Sequence, residues 1–219
     1  SASTTLTFTD DTDLNLFREG DKIVNGPVTG FKTVTYSGTN INKSITTDFN
    51  PDLVWIKSTS SAASHHLYDT FRGGLRLVPD GNNAEVNNGD WVSFNSDGFS
   101  LGNNSTVNEN NATFVAWAWK AGSGTTTNVN GSIITSVNAN PSTGFSIVSY
   151  TGTGANATVG HGLGAPADFI LTKNLDASAN WVAFHSGAQT TGAKVGLLNT
   201  ADPFGENSTV WQNVAPTNI

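Results

Sequence analysis

The segment at residues 65–72, HHLYDTFR, brings aromatic rings, a carboxylate and a guanidinium together in one short run. Aromatic rings stack on the apolar faces of sugars, while carboxylate and guanidinium groups hydrogen-bond to their hydroxyls. A related segment at residues 181–186, WVAFHS, supplies two further candidates, Trp181 and His185. This chemistry predicts glycan contacts from seven residues: His65, His66, Tyr68, Asp69, Arg72, Trp181 and His185.

The same segment also has a purely structural interpretation. Leu67 and Phe71 would share a face and belong to a hydrophobic core. Arg72 would then pair with Asp69, or would cap a turn before the glycines at 73 and 74. Both interpretations remain open at the level of sequence.

Catalysis of glycan cleavage would need two carboxylates held at a defined separation across a groove. The first half offers these candidates: Asp69, Glu85, Asp90, Asp97 and Glu109. In the second half His185 stands where the first half has Asp69, so no carboxylate pair occurs in both halves. The chain has no cysteine and no Gly-x-Ser-x-Gly motif, which leaves fewer nucleophilic chemistries open. We therefore expect no catalytic residues, and a glycan depolymerase is kept as an alternative.

Metal and cofactor sites are not expected either. Asp11, Asp13 and Asn15 alternate as at the start of a calcium loop, but Leu16 and Lys22 replace the glycine and glutamate that an EF-hand requires. A looser calcium site at these residues is an alternative to a solvated acidic turn. Adjacent histidines at 65 and 66 point to opposite faces of a strand, and the glycine-rich run 160–164 lacks the lysine of a phosphate loop.

The chain contains an internal duplication. Residues 27–31, PVTGF, recur as residues 141–145, PSTGF, so that Gly30 matches Gly144 at an offset of 144 − 30 = 114. Residues 51–57, PDLVWIK, match residues 166–173, PADFILTK, at an offset of 168 − 52 = 116. Two copies of one β-rich module in tandem are the simplest explanation.

Apolar and polar residues alternate with period two in several runs, which Gly, Asn, Asp and Pro turns separate. This pattern predicts an all-β chain of two tandem antiparallel β-sandwich modules of jelly-roll, lectin-like type. The predicted domains are a lead-in strand and linker at 1–20, repeat 1 at 21–121, a linker at 122–131, and repeat 2 at 132–219. We expect the two repeats to superpose strand for strand.

Two tryptophans in the run 115–120, VAWAWK, share one face of a predicted strand while Ala116 and Ala118 share the other. We expect the rings to form a core face and the alanine face to be covered closely by a neighbouring strand or subunit, with a sugar-stacking platform as the alternative.

Composition limits the partners. The 219 residues carry 17 acidic and 10 basic side chains, for a net charge of −7, so no basic field exists for nucleic acid. No stretch reaches the ~18 apolar residues of a membrane-spanning helix, and membrane insertion is not expected. A chain that starts Ser1-Ala2-Ser3 is expected to be a processed product or part of something longer.

Several motifs together resemble a tandemly repeated domain of unassigned biochemical function from tail-fibre-like virion proteins of bacteriophages, many of them marine. These motifs are residues 51–57, 65–73, 93–102 and 114–122, with residues 144–150, 160–164 and 180–186 looking like the companion repeat. The lead-in at residues 6–12 is similar to the segment that precedes such repeats. The resemblance implies a lectin-like β-sandwich at the virion surface, and it brings no catalytic residues.

We therefore expect a phage structural protein of tail-fibre or tail-tip type that contacts the host surface, with glycan binding as one route. The alternative is an architectural decoration or connector protein without receptor binding. Other copies of the chain, most simply in a trimer by analogy with fibre proteins, and other virion proteins are the expected partners.

Repeat 2 is expected to lack its closing strands. Repeat 1 continues after Trp91 into runs at 98–101 and 114–119, whereas repeat 2 ends eight residues after Trp211, since 219 − 211 = 8. A sandwich without these strands would leave an unpaired edge. We expect the natural chain to continue, or the lead-in Thr5–Phe8 or a neighbouring chain to fill the gap by strand addition.

Overall fold

The computed structural model describes residues 30–87, 89, 91–188, 194–212 and 214–218. The alternating pattern does produce strands in these ranges, and they pair throughout as antiparallel sheets. The all-β part of the prediction is therefore confirmed. The calcium-loop candidates Asp11, Asp13 and Asn15 and the lead-in strand lie outside the described residues. No helix in the described part is long and apolar enough to cross a membrane.

The first half forms two sheets. Its elements are β1 (Phe31–Ser37), β2 (Lys43–Thr46), β3 (Leu53–Ser58), β4 (His66–Asp69), β5 (Val92–Asn95), β6 (Gly98–Leu101), α1 (Ser105–Asn108) and β7 (Thr113–Trp119). The first sheet has the order β1-β7-β3-β4, and the second has the order β2-β6-β5. The single turn α1 begins after Asn104, whose side chain accepts a hydrogen bond from the Thr106 N–H as an N-cap.

The second half also forms two sheets. Its strands are β8 (Thr126–Asn128), β9 (Thr135–Asn140), β10 (Phe145–Ser149), β11 (Phe169–Thr172), β12 (Val182–His185), β13 (Lys194–Leu197) and β14 (Gly205–Glu206). The third sheet has the order β10-β9-β8, and the fourth has the order β11-β12-β13-β14. A 3₁₀ turn at Ser186–Ala188 follows β12.

One hydrophobic core is shared by the first and second sheets. Its buried members are Tyr36, Ile45, Val54, Ile56, Tyr68, Val92, Phe99, Leu101, Val107, Ala112, Phe114, Ala116 and Ala118. Both sheets and the loop that carries α1 contribute to this core. Period-two alternation along β3 and β7 delivers every second side chain to it.

The prediction for the paired tryptophans of β7 was wrong about the face they occupy. Ala116 and Ala118 are fully buried in the shared core, whereas Trp117 and Trp119 are half-buried on the opposite face. Trp119 stacks on Phe145 of the second half, with ring centroids 6.1 Å apart. The rings thus occupy the outer face of the first sheet because the second half of the chain packs there.

The outer face of the first sheet also contacts the second half through a smaller cluster. Leu67, Leu77 and Trp181 are its buried members, and partly buried leucines and Trp55 surround them. Backbone hydrogen bonds join the halves nearby, from Ala179 N–H to the Asn82 carbonyl at 2.8 Å and from Glu85 N–H to Leu175 O at 3.0 Å. Burial of apolar area between the halves stabilises both.

The hairpin β3–β4 recurs as β11–β12 with the same register. Leu53 pairs with Asp69 in the first half, and Phe169 pairs with His185 in the second, each at an offset of 116. The next three residue pairs along each hairpin agree in the same way. The duplication read from the sequence therefore has a structural counterpart at this hairpin.

Within the described residues, the two repeats do not superpose strand for strand as the sequence predicted. In the first half β7 pairs with both β1 and β3, so that all three belong to one sheet. Their counterparts β10 and β11 lie in separate sheets, and no described strand joins them. The strand order of the two halves therefore differs at the position that β7 occupies.

Candidate functional site

Asp69 and Arg72 are brought together at the end of β4. The Asp69 Oδ2 atom accepts a hydrogen bond from Arg72 Nε at 2.7 Å and lies 2.6 Å from Nη2. Its Oδ1 atom accepts from the backbone N–H groups of Phe71 and Arg72, both at 3.0 Å. Both side chains are less than a tenth exposed, so this charged pair closes the turn after β4. This pairing of Arg72 with Asp69 is the one that the purely structural interpretation of the sequence predicted.

His66 and Tyr68 lie on the core face of β4. Tyr68 is fully buried opposite Val54, and His66 is 3% exposed opposite Ile56. Burial raises the pKa of Tyr68. The Tyr68 hydroxyl and both ring nitrogens of His66 have no hydrogen-bond partner within the described chain. These two glycan-contact candidates are therefore part of the hydrophobic core.

We expect Tyr68→Phe to leave the free energy of unfolding unchanged, or to raise it by up to about 1 kcal/mol. The change removes a buried hydroxyl that makes no hydrogen bond, and Phe184 occupies the matching place in the second half. Urea unfolding measures the effect. Tyr36→Phe is the control: the Tyr36 hydroxyl donates to the Val107 carbonyl at 2.7 Å, so this variant should lose about 1 kcal/mol. A larger loss for Tyr68→Phe than for Tyr36→Phe would contradict the assignment.

The buried imidazole of His66 is held in its neutral form. Burial, with the positive charge of Arg76 as the next cause, lowers the pKa of His66 from 6.5 to about 4. Lys57 and His65 act in the same direction, and Asp80 opposes them. The folded protein therefore resists a proton that the unfolded chain would accept at pH 5.

Stability should therefore fall as the pH drops from about 6.5 to 4. In that window the unfolded chain binds a proton at His66 and the folded chain does not, which lowers the free energy of unfolding by about 2–3 kcal/mol. We expect His66→Val, which copies Val182 of the second half, to remove this part of the pH dependence. Urea unfolding curves at pH 7, 5.5 and 4.5 give the free energy of unfolding of both proteins. The prediction would be refuted if this free energy changed equally with pH in the wild type and in His66→Val.

His65 lies at the surface end of the same strand. Its Nδ1 atom accepts a hydrogen bond from Trp55 Nε1 at 2.9 Å, and its backbone N–H donates to Asp80 Oδ1 at 2.9 Å. Partial burial lowers the pKa of His65. Because Trp55 occupies Nδ1, a neutral His65 carries its proton on Nε2 and presents a donor there.

The two candidates from the second half have different environments. Trp181 is 3% exposed, and its Nε1 donates to the Val78 carbonyl of the first half at 3.1 Å. His185 is exposed at the end of β12, edge-on to Phe169 with ring centroids 6.1 Å apart. Its Nδ1 accepts from the Gly187 N–H at 3.0 Å, which orients the ring. Trp181 thus joins the halves, and His185 reaches solvent.

A polar network around Asp52 was missed by the sequence reasoning. Its carboxylate accepts hydrogen bonds from Lys120 Nζ at 2.7 Å and from Ala121 N–H at 2.9 Å. The other oxygen accepts from Asn138 Nδ2 of the second half at 3.1 Å and from Thr70 Oγ1 at 3.3 Å. Asp52 is only 6% exposed, so one buried carboxylate joins β3, the residues after β4 and β7, and β9.

The signal for this network was present in the repeated Pro-Asp and Pro-Ala-Asp motifs. Asp168 is the counterpart of Asp52 and Ser186 is the counterpart of Thr70, each at an offset of 116. Ser186 Oγ donates to Asp168 Oδ1 at 2.8 Å, and the backbone bond from Ser186 N–H to Asp168 O repeats the bond from Thr70 to Asp52. Asp168 is exposed, unlike Asp52.

The seven glycan-contact candidates do not form one surface. His66, Tyr68, Asp69 and Trp181 are buried, and the Arg72 side chain is 8% exposed. His65 on the first sheet and His185 on the fourth reach solvent. In the described part of the chain, no three His, Asp or Glu side chains come together as metal ligands. Residues 65–72 are therefore mainly packed and hydrogen-bonded at the edge of the hydrophobic core.

Among the comparisons with known proteins, the one with protein-family models gives a match. Neither a curated protein nor a solved structure matches the chain. A family model described as Domain of unknown function (DUF7483) matches residues 26–219, which include every described strand of both halves. The chain therefore belongs to the DUF7483 family.

Proposed function

We propose that this chain is a structural component of a bacteriophage virion surface, of tail-fibre or tail-tip type, that helps the particle attach to its host. Two tandem β-sandwich modules of jelly-roll type are the architecture that we propose for it. The resemblance of its motifs to tail-fibre-like proteins supports this proposal. So do the antiparallel sheets and the low content of charged residues, 12%.

The distribution of exposed apolar side chains carries the proposal. Ten large apolar side chains are exposed in the described residues, and eight of them lie in the second half: Val129, Ile134, Tyr150, Phe169, Leu198, Phe204, Val210 and Val214. Where exposed apolar side chains lie side by side, they form the kind of surface through which proteins bind one another. This distribution supports a role for the second half in assembly, through contact with other protein chains.

Self-association tests this proposal in solution. We expect a homo-oligomer, and a trimer by analogy with fibre proteins, at micromolar concentration. Native mass spectrometry should show this assembly, and Val129→Asp combined with Ile134→Asp should dissociate it by placing charges at exposed apolar positions. Lys43→Asp, which also adds negative charge but lies in the first half, is the control. A monomer whose mass is unchanged by the double substitution would contradict assembly through this surface.

Glycan attachment is supported by the exposed corner around His185. The ring of Phe169 is 53% exposed beside His185, and the Asp168 carboxylate and Ser186 hydroxyl are adjacent and exposed. A ring with a neighbouring carboxylate and hydroxyl is the combination that binds sugars. We expect His185→Ala to weaken binding to host-surface polysaccharide, and His161→Ala, on a different loop, to leave it unchanged. Equal binding by both variants and the wild type would remove this corner from the proposal.

The enzyme alternative makes a different prediction. A depolymerase would release soluble fragments from host polysaccharide, whereas an attachment protein binds the polymer and leaves its length unchanged. Size-exclusion chromatography of the polysaccharide after incubation with the protein distinguishes the two. Binding without shortening supports attachment, and shortening supports the depolymerase.

A further inference from the structure

An amine, a carboxylate and a carboxamide meet where the two halves of the chain are in contact. The carboxylate is that of Asp52, just before β3; the amine belongs to Lys120, just after β7, and the amide to Asn138 on β9. Lys120 Nζ donates to Asp52 Oδ2 at 2.7 Å, and Asn138 Nδ2 donates to Asp52 Oδ1 at 3.1 Å. The two oxygens of one carboxylate therefore hold the amine and the amide side by side.

The backbone next to Lys120 is also fixed against the strand that carries Asn138. A Cβ built on Gly122 would lie 2.9 Å from Asn138 Oδ1, so the chain just after Lys120 runs directly along β9. Asn140 Nδ2 donates to the Ala121 carbonyl at 3.3 Å. These contacts keep the lysine side chain within reach of the amide.

The amide and the carboxylate are shielded from water. Asn138 is 2% exposed and Asp52 is 6% exposed, whereas the Lys120 side chain is 26% exposed and enters from the rim. The Asn138 Oδ1 atom is buried and has no hydrogen-bond donor within the described chain. Unpaired buried polar atoms are rare in native proteins, and a reactive role is one of the reasons for keeping them.

We propose that Lys120 and Asn138 join through an intramolecular amide bond, with Asp52 as the proton carrier. A proton moves along the 2.7 Å hydrogen bond from Lys120 Nζ to Asp52 Oδ2, which leaves a neutral, nucleophilic amine. The nitrogen lone pair attacks Asn138 Cγ, so that a new C–N bond forms and the electrons of the C=O bond move to Oδ1.

The departure of ammonia completes the reaction. Asp52 gives its proton to Asn138 Nδ2, the C=O bond re-forms, and the bond from Cγ to Nδ2 breaks. The ammonia that leaves takes up the surplus proton on Nζ. The products are one amide, the Asp52 carboxylate and one ammonium ion, so atoms and charge balance without any co-reactant.

The arrangement around Asp52 offsets the low reactivity of amides toward amines. Holding two groups in a well-aligned position is equivalent to a concentration of about 10⁵–10⁸ M. A positioned acid–base group adds about 10²–10⁴-fold. The resulting bond would tie the end of β7 to β9, so that a load on one half reaches the other without passing through the residues between them.

Mass spectrometry of the full chain tests the bond. We expect the purified protein to be lighter than its sequence mass by about 17 Da, the mass of the one ammonia lost. After denaturation, trypsin should fail to cut at Lys120, because acylation removes the charge that the protease recognises. The neighbouring cleavage sites are Arg76 and Lys173, so residues 77–173 should appear as one peptide.

Three variants test the role of each group. Lys120→Arg keeps a positive charge beside Asp52 but removes the amine, and it should keep its full sequence mass. Asp52→Asn keeps the shape of the side chain but cannot carry the proton, so it should form the bond at least about a hundredfold more slowly. Lys32→Arg is the matched control: Lys32 pairs with Asp48 at the surface, and this variant should lose ammonia as the wild type does.

Two results would overturn the proposal. A wild-type protein of full sequence mass that trypsin cuts after Lys120 would show that no bond forms. A loss of about 17 Da that persists in Lys120→Arg would come from another reaction, such as attack of the Gly131 backbone nitrogen on the Asn130 side chain. Fragment ions that join residues 120 and 138 in the wild-type peptide would identify the bond directly, whether or not a variant folds.

Discussion

Replacing Asp52 with alanine is expected to lower the free energy of unfolding by about 3–5 kcal/mol, the largest effect of any single charge that we expect. The carboxylate is buried and accepts four hydrogen bonds from both halves of the chain. Its loss would leave the Lys120 ammonium, the Ala121 N–H, the Asn138 amide and the Thr70 hydroxyl without their shared acceptor. Urea unfolding at pH 7 measures the effect.

Asp48→Ala is the matched control. Asp48 also pairs with a lysine, Lys32, but its side chain is 69% exposed. Exposed ion pairs contribute about 0–1 kcal/mol, so this variant should unfold almost as the wild type does. Similar losses for Asp48→Ala and Asp52→Ala would show that the buried Asp52 network stabilises the fold no more than an exposed ion pair does.

Trp181→Ala should lower the free energy of unfolding by about 3–5 kcal/mol. The indole is 3% exposed, packs with Leu67 and Leu77, and donates its N–H to the Val78 carbonyl at 3.1 Å. All of these partners belong to the first half, so the change should also loosen the contact between halves. Differential scanning calorimetry should then show two transitions in place of one.

Tyr150→Ala provides the comparison for Trp181→Ala. Tyr150 is an aromatic residue of the second half that is 44% exposed, and its removal should change stability by less than about 1 kcal/mol. If Trp181→Ala caused no more loss than Tyr150→Ala, Trp181 would be a surface residue free to bind ligand, as the sequence pattern allowed.

The hairpin β3–β4 and its repeat β11–β12 were predictable from sequence because their residues are close together along the chain. Alternation set the faces, and the constant offset of 116 set the register. The pairing of Asp69 with Arg72 was predictable for the same reason, because the two residues are three positions apart.

Long-range features were not predictable in this way. Asp52 reaches Lys120 and Asn138, which lie 68 and 86 residues further along the chain. The face chosen by Trp117 and Trp119 depends on the packing of the second half against the first sheet, and alternation specifies only that the two rings share a face. For the same reason, four of the glycan-contact candidates were buried by elements that are remote in sequence.

Imaging of virions that carry this chain tests the proposed function most directly. Electron microscopy of intact particles labelled with an antibody against the chain, with particles that lack its gene as the control, gives its location. We predict label on the tail fibres or tail tip and loss of host adsorption when the antibody is bound. Label confined to the capsid or neck, or purified particles without the chain, would contradict the proposal.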